Sequence, residues 1–258
     1  MALGWKRAAL LFAFAVAGGE SALADTVTLN PLQDNTLYQD DFGQTSNGSG
    51  QHFFAGRTGR GEIRRGLISF DIAGSIPAGS TIQNVILTLH MSRTLTGIEV
   101  EVDLRQVLTG WGEGASVAGF QGMNEGVGVT LITPTGDATW LHTFYDTDFW
   151  AQPGGDFADA VSGSAAVSEV GFYSFNSEFN PALVADVQQW LDQPDSNHGW
   201  GVFVADEFFP MSAKQFDTRE NTNPTFQPAL TVGYTGGGCG EGGAETNWNG
   251  LVKQFGGR

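Results

Sequence analysis

The chain has 258 residues, 28 of them acidic and 12 basic, for a net charge of −16. So negative a chain repels nucleic acid and anionic membrane, which excludes partners held by phosphate charge. A single cysteine excludes an internal disulfide, so the fold must rest on its own core, and this length supports one sandwich-sized domain.

Lys6 and Arg7, the apolar run 8–17 and Ala22-Leu23-Ala24 read as a secretory signal cleaved after Ala24. The run is too short to span a bilayer, and no cysteine follows the cleavage site to carry a lipid. The expected destination is extracellular or periplasmic. Losing Lys6, Arg7 and Glu20 makes the remaining chain one unit more negative.

Residues 25–235 read as one domain of short strands separated by glycine-rich turns; 37 residues are glycine. Strands are expected at 26–29, 35–38, 51–55, 65–71, 82–91, 99–106, 139–144, 167–175, 201–205, 213–217 and 229–234. Val85, Leu87, Leu89 and Met91 alternate with Asn84, Ile86, Thr88 and His90, the pattern of a strand with one strongly buried face. Glu99 to Leu104 alternates with acids out and aliphatics in. Pro77 and Gly79 mark a turn between two strands. Many short strands with such turns argue an all-β antiparallel sandwich or jelly roll.

One amphipathic helix interrupts this pattern. Asn180 is a good N-cap, Pro181 suits the first helical position, and Pro194 is a stop. Leu183, Val184, Val187, Trp190 and Leu191 share one face, with Asp186, Gln188, Gln189 and Asp192 on the wet side. So apolar a stripe must lie against sheet, and the helix is expected to plug one end or edge of the sandwich.

Residues 112–136 are the least regular stretch, either a binding loop or a surface excursion. Residues 236–258 form a glycine-rich tail that holds Cys239, a free thiol, an intermolecular link or a residue with no role.

Three stretches carry a resemblance. The first is Arg64-Arg65-Gly66-Leu67-Ile68-Ser69-Phe70-Asp71 followed by Ile76-Pro77-Ala78-Gly79-Ser80-Thr81-Ile82. The second is Val184-Ala185-Asp186-Val187-Gln188-Gln189-Trp190-Leu191 with Asn197-His198-Gly199-Trp200-Gly201. The third is Phe216-Asp217-Thr218-Arg219-Glu220 followed by Asn223-Pro224, Pro228, Leu230, Val232 and Tyr234. In this order they resemble the DNRLRE domain, a family also treated as carbohydrate-binding modules. The likeness spans roughly residues 28–234. It implies a secreted β-sandwich jelly roll, of a kind often joined to polysaccharide-degrading enzymes or surface proteins. Some members are described as binding acidic polysaccharide such as alginate.

Three groups of residues are candidates for chemistry. Arg57, Arg60, Arg64 and Arg65 crowd a short stretch of a chain poor in positive charge, and Arg93 and Arg105 follow on later strands. A guanidinium fork matches a carboxylate bidentately, as a uronate polymer requires, and it equally suits the chain's own acids. Trp140, His142 and Phe144 alternate onto one face, with Tyr145 and Trp150 nearby. Flat rings of this kind stack on sugar faces when exposed and fill cores when not. Asp34, Asp40 and Asp41, with Asp146 and Asp148 elsewhere, supply hard oxygens for a structural calcium without EF-hand spacing; a solvated acidic surface is the alternative.

No nucleophile elbow or two-histidine metal spacing is present. The ligand-binding candidates are thus Arg57, Arg65, Arg93, Trp140, Tyr145 and Trp150. The expected function is a secreted, non-catalytic module that binds polysaccharide or a cell-surface glycan. The alternatives are a structural surface or matrix protein and a polysaccharide-cleaving enzyme, the last using Arg65 with Tyr145 or His142.

Overall fold

The structure, a computed structural model, describes residues 24–119, 124–128 and 136–236. The signal-sequence expectation at residues 1–23 and the tail with Cys239 lie outside the described residues.

In chain order the strands are β1 (Ala24–Leu29), β2 (Gln33–Tyr38), β3 (His52–Arg57), β4 (Ile63–Ser69), β5 (Ser80–Thr94), β6 (Val100–Gln106), β7 (His142–Phe144), β8 (Asp148–Phe149), β9 (Gly163–Val167) and β10 (Gly171–Asn176). The helix α1 (Ala182–Asp192) follows, and then β11 (Trp200–Val204), β12 (Lys214–Asp217) and β13 (Ala229–Gly236). Eleven strands form one curled antiparallel sheet along the path β1-β13-β5-β12-β3-β4-β11-β6-β9, with β10 added to β5 and β2 to β4. β7 and β8 make a separate hairpin. The all-β architecture with one α-helix is as the strand pattern predicts.

Curling folds the sheet into two arms whose inner faces share a core. Val85, Leu87, Leu89 and Met91 of β5 and Phe216 of β12 meet Ile68 of β4, Val102 and Leu104 of β6 and Val202 of β11. The alternation in β5 therefore marks its inner face correctly. The arms join where β3 leaves β12 and pairs with β4 through Gly56 and Arg57. Gly56 has φ of 105°, and an added Cβ would lie 2.9 Å from the Ser212 carbonyl oxygen, so this crossing needs glycine.

α1 closes one end of the core with Leu183, Val187, Trp190 and Leu191. Two details differ from the sequence expectation. Asn180 does not cap the helix; its side chain bonds the Ser164 backbone and the Asn176 carbonyl, tying α1 to β9 and β10. Asp186 is not on the wet side. It is buried and accepts from Trp200 Nε1 at 2.7 Å and Gln106 Nε2 at 2.6 Å.

Two strand expectations change as well. The stretch 167–175 splits, because β9 pairs with β6 in one arm and β10 with β5 in the other. The stretch 139–144 shortens to β7, since the Thr139 hydroxyl accepts from the Leu141 and His142 amides and turns the chain.

A second core lies on the other face of β4. Leu37 and Leu67 are covered there by Val107, Trp111, Ala138, Trp140 and Trp150. The irregular stretch after β6 is thus partly packed: Trp111, Ser116 and Ala118 are buried.

Candidate functional site

The arginine cluster is divided by the period of two along a strand. Arg65 turns toward the second core. Its guanidinium lies 5.0 Å from the Trp140 ring centre and 5.3 Å from that of Phe203. It binds Glu207 bidentately at 2.7 and 2.8 Å and donates to the Gly154 carbonyl. Arg57 reaches the Glu207 carbonyl at 3.4 Å. Arg105 donates to the Asp159 carbonyl and sits 3.7 Å from Asp103. These three cations are occupied within the fold, and Arg65 is not joined to Tyr145 or His142.

Arg64 turns the other way. It stacks 4.8 Å from the Tyr38 ring centre, is buried, and its Nε has no hydrogen-bond partner. Burial pulls its pKa down, against the pull of Tyr38, Glu62 and Asp40. It lines a recess of about 430 Å³ together with Arg60 of the β3–β4 hairpin and Arg93 near the end of β5. Phe54, Leu95, Val127 and Met211 give the recess apolar walls. Glu62 is the one carboxylate among the described lining residues, and it accepts from the Thr58 hydroxyl. No carboxylate among the described residues comes within salt-bridge distance of Arg60 or Arg93.

Lys214 contributes its stem alone. Its ammonium is held by the Thr94 hydroxyl and the Ile98 and Ser168 carbonyls at 2.9–3.1 Å. Met211 adopts φ of 55°, in the left-handed region that a residue with a Cβ enters at a cost.

A chain of alternating histidines and carboxylates that sequence spacing does not reveal fixes one wall. His52 Nδ1 lies 3.2 Å from Glu125 Oε2, and His52 Nε2 lies 3.4 Å from Asp217 Oδ1. Asp217 Oδ2 bonds His90 Nδ1, and His90 stacks on Phe226 with ring centres 4.0 Å apart. Glu125 also accepts from Asn47 Nδ2 and from the Gln51 and His52 amides. Burial pushes the Glu125 carboxyl up, but these donors outweigh it and hold its pKa below the ordinary value. These bonds thereby anchor the 3-10 turn whose Gly126 and Val127 line the recess.

The aromatic platform is corrected. Trp140 and Trp150 are 7% and 5% exposed, and the Trp150 indole donates to the Thr139 carbonyl. Both rings cover the outer face of β4 and present no flat surface for a sugar. Phe144, which shares the expected face, is exposed instead. Tyr145 is half-buried, edge-on to His142 with ring centres 5.0 Å apart.

The acidic candidates separate too. Asp40 accepts through Oδ1 from the Phe42 and Gly43 amides of its own turn. Asp41, Asp146 and Asp148 are exposed. Asp34 is fully buried and lies with Glu113 and Glu220, residues that the sequence did not single out with it. Burial, with the neighbouring Glu220 and Glu113 charges, raises the Asp34 pKa well above the ordinary value, against the hydrogen bond from the Arg219 amide.

Compared with known proteins, the chain matches no family model and no curated protein. Among the described residues no helix is long and apolar enough to cross a membrane.

Proposed function

We propose that this chain is a secreted, non-catalytic β-sandwich that binds acidic polysaccharide through the recess of Arg60, Arg64 and Arg93. The observation that carries the reading is the recess itself. In a chain of net charge −16, two guanidinium forks with no carboxylate within salt-bridge distance among the described residues line an apolar-walled hollow that holds one acid, Glu62. Uronate units offer what such a hollow complements: a carboxylate for each fork and C–H faces for the exposed Leu95 and Val127. The sequence resemblance to the DNRLRE domain supports the same ligand class, and the signal-like residues 1–24 support export.

The test is titration calorimetry on polyuronates, alginate and polygalacturonate, beside neutral glucans at low and moderate salt. Polyuronate binding should weaken as salt rises. Arg60→Ala with Arg93→Ala should weaken it at least about tenfold, or about 1.4 kcal/mol. Heat from neutral glucans alone, or from no glycan, overturns the reading.

A further inference from the structure

Three distant segments bring one carboxylate each to a single point. Asp34 comes from β2, Glu113 from the stretch after β6 and Glu220 from the turn after β12. One oxygen of each lies within 4.8 Å of the others. Arg219 sits among them. Its guanidinium donates to both Glu113 oxygens at 2.7 and 2.5 Å, and its Nε lies 2.9 Å from Glu220 Oε1 as an ion pair. Its amide donates to Asp34 Oδ2 at 2.9 Å. One cation among three carboxylates leaves two negative charges over.

The hydrogen bonding is also incomplete. Asp34 is fully buried, yet its Oδ1 has no partner, and the buried Glu220 Oε2 has none either. A buried carboxylate oxygen without a donor is costly, and native folds rarely leave one so. Two orphaned oxygens in a group carrying two surplus negative charges match a divalent cation in both charge and ligand type.

We propose that Asp34, Glu113 and Glu220 hold one calcium ion. Calcium takes six to eight hard oxygens at about 2.3–2.6 Å, so oxygens on opposite sides of it lie about 4.8 Å apart. The three carboxylates fit inside that span, and solvent or backbone oxygens complete the shell. The ion clips β2 of one arm to the turn after β12 of the other and pins the Glu113 segment beneath both. The site is separate from the arginine recess, and its test does not depend on glycan binding.

The experiment strips the full-length protein with chelator, then titrates calcium and, separately, magnesium by calorimetry, with native mass spectrometry to count bound ions. One calcium per chain is expected. At a hundredfold excess over Kd, the melting temperature should rise by roughly 5–10 °C. Asp34→Asn and Glu220→Gln, each checked for native circular dichroism, should lose calcium affinity at least about tenfold. In chelator both should melt no lower than the parent, since each removes a repelling charge; if one fails to fold, the other carries the test. No calcium binding, equal binding by both variants, or an equal response to magnesium overturns the proposal.

Discussion

Arg64 and Arg65 are neighbours on β4, and their side chains leave the sheet on opposite sides. One lines the recess beside Tyr38 and the other is clamped by Glu207 and Gly154 between aromatic rings. The same residue type one position apart is thus a wall of the candidate site and a strut of the fold. Arg65→Ala should strand the Glu207 carboxylate and lower unfolding stability by about 3 kcal/mol. Arg93→Ala should change stability by less than about 0.5 kcal/mol. Urea denaturation of the two variants measures both.

Met211 gives a stability change of the opposite sign. Its φ of 55° is strained for methionine and free for glycine. Met211→Gly should raise stability by up to about 1 kcal/mol, read as a higher melting temperature. The same change removes an apolar wall of the recess, so polyuronate affinity should fall as stability rises. A β-branched residue there, as in Met211→Ile, should lower the melting temperature.

Asp186 is anchored more deeply than its place on the helix suggests. It satisfies the Trp200 indole and the Gln106 amide at once. Asp186→Ala leaves the buried Trp200 indole and the half-buried Gln106 amide without their acceptor and should cost about 2–4 kcal/mol. Asp186→Asn keeps one acceptor and should cost less. Thermal unfolding of the pair gives the order.

These residues show what the sequence made legible. The alternation of β5 and the stripe of α1 depend on neighbours two to four residues apart, and both were readable. The helical period places Asp186 toward solvent because its partners are 14 and 80 residues away, beyond any local period. Trp140 and Trp150 are ambiguous in the sequence for a related reason. Alternation tells which face a ring takes, but not that the stretch after β6 folds back over the outer face of β4. The carboxylates of Asp34, Glu113 and Glu220 have no sequence signature, since the topology brings them together. The sequence groups Arg93 with Arg57, Arg60, Arg64, Arg65 and Arg105, and which of them share one recess emerges only once β3, β4 and β5 are placed together.

Glu125 sets the acid limb of stability. Its carboxyl is burdened by burial, yet the His52 and Asn47 side chains and the Gln51 amide favour the ionised form and lower its folded pKa. The unfolded chain therefore binds this proton more readily than the folded one. The contribution of Glu125 is fully present above the unfolded value, about 4.3, and is lost as pH falls through the lower folded value. Glu125→Gln keeps the shape, removes the charge and leaves an amide where His52 and the Gln51 amide need an acceptor. It should cost about 1–3 kcal/mol at neutral pH. Below the unfolded value, about 4.3, the gap between variant and parent should begin to narrow, and it closes as folded Glu125 takes up its proton at a lower pH. Urea unfolding of both proteins from pH 7 down to pH 3 measures the gap, and a constant difference across that range would rule out the ionised Glu125 as its source. The turn at Gly126 and Val127 should loosen in the variant as well, so polyuronate affinity at pH 7 should drop although no arginine has been touched.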